Sequence, residues 1–259
     1  MNTVLVTGAS SGIGYELARL LASNGRSLML VARDDTRLKD VSAQLRAEFS
    51  ITVAWRAIDL SDASAVQQLW NGLAEDGVVV DVLINSAGVG AYGELCEQPT
   101  DVIQRMVTLN VTSLTMLTRL ALPGMIVRKQ GRILNVASLA AYQPAGPRMS
   151  VYYATKSYVL SFSKGIADEL AGSGVSVTAL CPGPTASAFE NRSGVHGTGL
   201  YGRLPQMSAR AVAAAGYRGM LRGRSVVIPG LMTKIASFAG ELPPRSIALA
   251  VNRFLLKRK

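Results

Sequence analysis

Tyr152 and Lys156 stand four residues apart in the run Tyr152-Tyr153-Ala154-Thr155-Lys156, a spacing that puts both side chains on one face of a helix. An ammonium held there can lower the pKa of a phenol from its usual value of about 10. A tyrosine tuned in this way trades protons with an alcohol or a carbonyl near neutral pH. Tyr153 is adjacent, but one residue along a helix is a rotation of about 100°, so only Tyr152 shares the face of Lys156. Such a pair also decorates ordinary solvated helices, and its chemistry has to be judged by what accompanies it.

The turn Thr7-Gly8-Ala9-Ser10-Ser11-Gly12-Ile13-Gly14 follows the strand-like run Val4-Leu5-Val6 and precedes an amphipathic segment at 15–22. In that context Gly8 permits the tight turn and Gly12 lets a pyrophosphate approach the backbone. Gly14 allows close helix packing, and the helix N-terminus faces the anion. At the end of the second strand, where a carboxylate would accept hydrogen bonds from both ribose hydroxyls of NAD, the chain carries Ala32 and Arg33. A guanidinium there suits a 2′-phosphate, so NADP(H) is expected in preference to NAD(H). The competing reading is that Arg33 caps a loop beside Asp34 and Asp35. Gly8-Ala9-Ser10-Ser11-Gly12 also satisfies the G-x-S-x-G pattern of a hydrolase elbow, with Asp168 and His196 following in order. Only seven residues precede Gly8, too few for the upstream loop that supplies such an enzyme's oxyanion hole.

The elements that must position these residues alternate from the start. Strand-like runs at 4–6, 28–31, 52–57, 82–85, 132–137 and 175–180 are separated by helical patterns at 36–49, 63–74, 102–128 and 151–171, and a late short strand at 225–228 is expected to close one edge. Repeated βα order implies one doubly wound α/β domain over 1–259, with a mostly parallel seven-stranded sheet and helices on both faces. The stretch 182–207 breaks the rhythm. Rich in Gly, Ser and Pro and carrying the single histidine, it is expected to form a substrate lid over about 183–207 after a strand's carboxyl end. Phe189, Val195, Leu200, Tyr201 and Leu204 in it favour an apolar substrate body, and Tyr142 is expected to line the same pocket.

The composition, with 259 residues, 49% hydrophobic and 17% charged, is enough for one sizeable core. Apolar runs fall far short of the roughly 20 residues of a membrane span, and no signal peptide is expected before the first strand. Cys96 and Cys181 make no disulfide framework; each is read as a buried apolar residue, and a reducing cytoplasm fits. The net charge of +10 is uneven: residues 203–259 hold 11 Lys and Arg against the single acid Glu241, whereas 1–202 are balanced at 16 and 16.

Taken together these features resemble the short-chain dehydrogenase/reductase family in its single-domain form, across essentially the whole chain. Thr7-Gly8-x-x-x-Gly12-x-Gly14 is similar to its cofactor motif, with Ser10, Ser11 and Ile13 between. Asp59 beside Leu60 resembles the carboxylate near the adenine ring. Asn85-Ser86-Ala87-Gly88 is similar to its N-A-G element with Ser86 inserted, and Pro182-Gly183-Pro184-Thr185 to the segment that contacts the nicotinamide carboxamide. Asn110, Ser138, Tyr152 and Lys156 match the family's catalytic tetrad in order. The resemblance implies that Tyr152 protonates the forming alkoxide and that Ser138 donates to the same oxygen. Lys156 would bind ribose as well as tune Tyr152, and Asn110 would hold a water linked to Lys156. An Asn in the middle of a helix is otherwise unfavourable. The resemblance further implies a homodimer or homotetramer. No metal is expected.

These readings make the chain an NADP(H)-dependent oxidoreductase interconverting a ketone, of 3-ketoacyl or other apolar type, and a secondary alcohol. A dinucleotide-binding regulatory or interaction protein with weak turnover is the alternative. A nucleic-acid partner is not expected, because no stacking aromatics accompany the basic end. That end, about 231–259, carries Ile247, Val251, Phe254 and Leu255 as one apolar helix stripe closed by Lys257-Arg258-Lys259. It is read either as a terminal helix docked on the core, with Met232, Ile235 and Phe238 extending the surface, or as a peripheral membrane or acyl-carrier contact.

Overall fold

The computed structural model describes residues 2–62, 64–199 and 205–257. Its strands are β1 (Asn2–Thr7), β2 (Ser27–Ala32), β3 (Val53–Ala57), β4 (Val79–Asn85), β5 (Gly131–Val136), β6 (Val175–Leu180), β7 (Thr185–Ala186), β8 (Met207–Ser208) and β9 (Val226–Val227). Its helices are α1 (Gly12–Ser23), α2 (Asp35–Phe49), α3 (Ala65–Glu75), α4 (Thr100–Val107), α5 (Leu114–Val127), α6 (Ser150–Glu169), α7 (Phe189–Ser193), α8 (Ala209–Leu221), α9 (Leu231–Glu241) and α10 (Arg245–Leu255). Seven strands form one sheet in the order β3-β2-β1-β4-β5-β6-β9, every adjacent pair parallel. The doubly wound architecture expected from the βα rhythm is present.

Val4, Leu5 and Val6 are fully buried, because a central parallel strand is covered on both faces and needs no polar alternation. Their side chains point alternately to opposite faces. Val4 and Val6 pack in the cluster containing Leu17 and Leu21 of α1, Leu38 and Leu45 of α2, and Val212 of α8. Leu5 packs in the second cluster, with Leu69 and Leu73 of α3 and Leu117, Ala121 and Met125 of α5. The chain winds outward from β1 through β2 to β3, then returns to lay β4 on the other side of β1. The carboxyl ends of β1 and β4, where Thr7 pairs with Asn85, therefore open a crevice at the switch point.

Two expected elements differ in detail. The long helix at 102–128 is in fact α4 and α5 joined by a π-helical segment, Thr108–Ser113, that contains Asn110. The expected irregular lid contains a short helix, α7, and its base is tied where β7 pairs in parallel with β8. Leu200, Tyr201 and Leu204 lie outside the described residues.

The two carboxyl-terminal helices sit with their polarity reversed. On α9, Thr233, Ser237 and Gly240 face inward, while Leu231 and Phe238 are 73% and 66% exposed and Met232 and Ile235 are exposed with them. Close approach explains the small inward residues. A side-chain carbon added at Gly240 would lie 2.5 Å from the Tyr142 carbonyl oxygen, and Thr233 covers Gly183 in the same way. Helix α10 is held by Asn252, whose Nδ2 donates to the Ala145 carbonyl at 2.7 Å and to Gln143 Oε1 at 3.4 Å. Ile247, Val251 and Phe254 are exposed. The expectation of an apolar stripe docked on the core is corrected: most of the stripe faces out, because hydrogen bonds of a buried polar residue set the helix rotation.

Candidate active site

A cavity of about 1060 Å³ runs along the carboxyl ends of the strands. It extends from Arg33 and Asp59 past the glycine-rich turn to Tyr152 and Lys156, and out between Phe189 of α7 and the α9–α10 hairpin. Of the residues singled out by sequence, Gly8, Ser10, Ser11, Gly12, Ile13, Arg33, Asp59, Leu60, Ala87, Gly88, Ser138, Tyr152, Lys156, Pro182, Gly183 and Thr185 line it. Thr7, Gly14, Asn85 and Asn110 do not, and each has another task.

Thr7 Oγ1 accepts from the Ser86 and Ala87 amides, both at 3.1 Å, and donates to the Ile84 carbonyl. It ties the end of β1 to the chain leaving β4. Gly8, at φ +66°, approaches that chain so closely that an added side-chain carbon would lie 2.8 Å from the Ala87 nitrogen. Gly14 lies against the Gly8 carbonyl, where such a carbon would come within 2.3 Å. Only glycine fits either place. Asn85 is 2% exposed and points into the core, its Nδ2 donating to Thr118 Oγ1 and Asn135 Oδ1. Its expected cofactor contact is thereby corrected to a role in joining β4, β5 and α5.

Helix α6 presents Tyr152 and Lys156 to the cavity, with Lys156 Nζ 5.8 Å from the Tyr152 ring centroid. Lys156 Nζ donates to the Val136 carbonyl at 2.9 Å. Ser138, whose Oγ accepts the Ala140 amide at 3.1 Å, lines the same cavity wall as Tyr152. Burial pushes the Tyr152 phenol up to about 12, and the Ser138 hydroxyl opposes it. Burial likewise brings Lys156 down to about 8. The expected lowering of the Tyr152 pKa by Lys156 is therefore reversed, since desolvation of both groups outweighs their mutual field. A phenol held this way stays protonated at neutral pH, the form a proton donor needs. Tyr153 also reaches the cavity, but it packs against Gly146 and Tyr152, and burial raises its phenol above the ordinary range. Tyr142 does not line the cavity; it packs against the buried cluster that contains Leu114, Val159, Leu160 and Cys181.

Asn110 reaches this group from the π turn. Its Oδ1 accepts the Val89 amide at 3.0 Å, while Nδ2 donates to the Val89 carbonyl at 2.9 Å and to Thr155 Oγ1 at 3.1 Å. Both amide hydrogens are used, leaving one oxygen lone pair for a water. Gly88 sits between Asn110 and Lys156, where an added carbon would lie 3.4 Å from each polar atom. A π turn widens the helix by one residue, which is why such turns recur where a side chain has to be re-aimed.

At the far end Arg33 is half exposed, its nearest acid Asp59 4.0 Å away. Asp34 caps α2 and Asp35 binds Lys39 and Trp55 Nε1. Partial burial would raise the Asp59 carboxyl, but hydrogen bonds from Ser61 and the charges of Arg33 and Arg105 hold it below the usual range. Two further arginines belong here. Arg37 Nε donates to the Ser10 carbonyl at 3.3 Å; its spacing of four from Arg33 was a signal available in the sequence. Arg192 of α7 donates to Ser11 Oγ at 3.3 Å across 181 positions, and no local pattern announces that contact. An elongated cleft with a helix N-terminus, glycine backbone and clustered guanidinium groups fits a dinucleotide. The two cysteines divide: Cys181 is buried beside Lys156, its thiol pushed up to about 12 by burial, whereas Cys96 is exposed, contrary to expectation.

Residues 2–195 match the sequence profile of the short chain dehydrogenase family. A short-chain dehydrogenase from Sphingobium yanoikuyae, solved in complex with NADPH, is 34% identical with a TM-score of 0.82, covering 98% of this chain and 94% of that one. The bulky-bulky ketone specific alcohol dehydrogenase from Comamonas testosteroni is 30% identical at TM-score 0.77, covering 98% and 92%. The very-long-chain 3-oxoacyl-CoA reductase of Rattus norvegicus is 34% identical over 182 residues, 69% of this chain. The match takes in 57% of that protein, less than two thirds of its length.

Proposed function

The chain belongs to the short-chain dehydrogenase family and is an oxidoreductase, and on that premise we propose that it is an NADP(H)-dependent enzyme interconverting an apolar ketone and its secondary alcohol. The observation that carries this reading is the placement of Ser138, Tyr152 and Lys156 together on the wall of the cavity that also contains the glycine-rich turn and Arg33. The dinucleotide supplies the hydride when bound. The Gly8–Ile13 backbone and the α1 N-terminus would receive its phosphates, and Arg33 with Arg37 would receive the 2′-phosphate, a doubly charged group that a guanidinium binds in bidentate fashion.

In the reductive direction Tyr152 transfers its proton to the carbonyl oxygen as negative charge develops there, and Ser138 donates a hydrogen bond to the same oxygen. A phenol pushed up to about 12 is a weak acid towards water but a matched donor to an alkoxide, whose conjugate acid is weaker still. Lys156, held by the Val136 carbonyl, stabilises the phenolate left behind and takes ribose hydroxyls. Asn110 acts through Val89 and Thr155 as a positioning residue. Phe189, 5.3 Å from the Tyr152 ring, covers the reacting centre with an apolar surface, as do Val195 and Leu242 farther out.

Initial rates with NADPH and with NADH on a panel of alkyl ketones and 3-ketoacyl thioesters test the proposal. A marked NADPH preference is expected. A preference for NADH overturns the cofactor assignment, and turnover retained in Tyr152→Phe overturns the mechanism.

A further inference from the structure

The surface formed by α9 and α10 carries large apolar residues on its outward side. Leu231, Ile235 and Phe238 repeat at i, i+4 and i+7 on the outward side of α9, and Ile247 and Val251 do so on α10, while small or polar residues face the protein. Folding leaves this apolar face uncovered, and an exposed patch of this kind marks a place for a partner or a membrane. Exposed Lys234, Arg245, Arg253 and Lys257 lie on the same hairpin, against the single acid Glu241. Leu242, Ile247 and Val251 are exposed and at the same time line the cavity that contains Tyr152.

We propose that the α9–α10 hairpin is a docking device for an anionic lipid surface, which holds the cavity mouth at the level of the headgroups. Among the described residues no helix is long and apolar enough to cross a membrane, and an amphipathic pair with basic flanks lies in the interface rather than spanning it. Charge decides between lipid and a second copy. Two copies meeting through this face would set one basic set against another, whereas phosphatidylglycerol or phosphatidylserine headgroups complement it. The arrangement delivers apolar substrates by lateral entry from the acyl layer, past Leu242 and Ile247. The proposal does not depend on the reaction, because its readout is partition and not turnover.

The test is sedimentation of the full chain with vesicles of phosphatidylcholine alone and of equal parts phosphatidylcholine and phosphatidylglycerol, at low and high salt. Partition onto the anionic vesicles is expected to exceed that onto the neutral ones by about tenfold or more at low salt and to fall as salt rises. Leu231→Glu/Phe238→Glu and, separately, Lys234→Glu/Arg253→Glu are each expected to cut that partition by about tenfold. Melting temperature and turnover of a small water-soluble ketone should stay unchanged in both. Equal retention by both vesicle types, or full retention by the variants, overturns the proposal. Sedimentation equilibrium covers the rival occupant: a dimer that Leu231→Glu/Phe238→Glu splits to monomer assigns the face to a second copy and overturns the lipid assignment.

Discussion

Helices α1 and α9 are both amphipathic, yet they face opposite ways. Helix α1 buries Leu17, Ala18, Leu21 and Ala22 against the sheet, whereas α9 buries Thr233, Ser237 and Gly240 and leaves its large apolar residues outside. Buried apolar area contributes roughly 25 cal/mol per Å², so the stripe of α1 stabilises the fold directly. The stripe of α9 contributes little until something covers it. What fixes α9 is close backbone packing at Gly183 and Gly240 and the hydrogen bond from Gln143 Nε2 to the Ala236 carbonyl at 2.9 Å. The core-packed body to which α1 belongs, with Tyr152 and Lys156 on α6, is the first region and holds the stability and the proposed chemistry; the α9–α10 face is the second and is proposed for contact.

That division can be broken at several points. Replacing Tyr152 by Phe should lower kcat about 10²- to 10⁴-fold while NADPH affinity, read by fluorescence titration, stays within about twofold. A comparable loss on removing residues of the outer face would contradict the assignment of chemistry to the first region. In urea titrations Leu17→Ala should cost about 2–5 kcal/mol, and Phe238→Ala no more than about 0.5 kcal/mol. Equal costs would mean that the α9 stripe packs after all.

Lys156 gives the first region a pH signature. Its folded pKa of about 8 lies below its ordinary 10.5, so burying the charged form destabilises the fold below about pH 8. Stability should rise as pH climbs from about 8 towards 10.5, by on the order of 3 kcal/mol in all. Cys181 and Tyr152 have raised pKa values and contribute stability that is lost as pH climbs from about 9 and 10 towards 12. The clean window is therefore between pH 8 and 9. The difference in unfolding free energy between the wild type and Lys156→Met should carry this rise, and a flat difference would show that Lys156 is not desolvated. Arg33→Ala should raise KM for NADPH about tenfold and leave KM for NADH unchanged. The smallest effect is expected from Arg192→Ala, a few-fold weaker NADPH binding with faster proteolysis of the lid.

The strands along the chain, the glycine-rich turn with Gly8 and Gly12, and the shared face of Tyr152 and Lys156 were legible because period, turn chemistry and helical spacing are local properties. Ser138, by contrast, was reached only through the family resemblance. The inward turn of Asn85 was not, since an Asn at a strand's end reads the same whether it faces a cleft or Asn135. The direction of the Tyr152 shift was hidden for a related reason. Spacing reveals that a cation is near, but only the folded cavity reveals that burial outweighs it. The Arg192 to Ser11 contact and the rotation of α10 about Asn252 are long-range outcomes of docking, and the stripe of Ile247, Val251 and Phe254 is equally compatible with either side of that helix.

The π turn at Thr108–Ser113 has a consequence for how this chain tolerates insertions and deletions. One extra residue in a turn resets helical phase by about 100°, so α4 and α5 keep separate angular frames although they run on as one rod. Deleting a single residue there would restore an unbroken α-helix and at the same time swing Leu117, Ala121 and Met125 off the sheet, or else carry Asn110 away from Val89 and Thr155. The length of this segment is thus constrained to the residue, whereas its side chains away from Asn110 and Ser113 are not held by the same geometry.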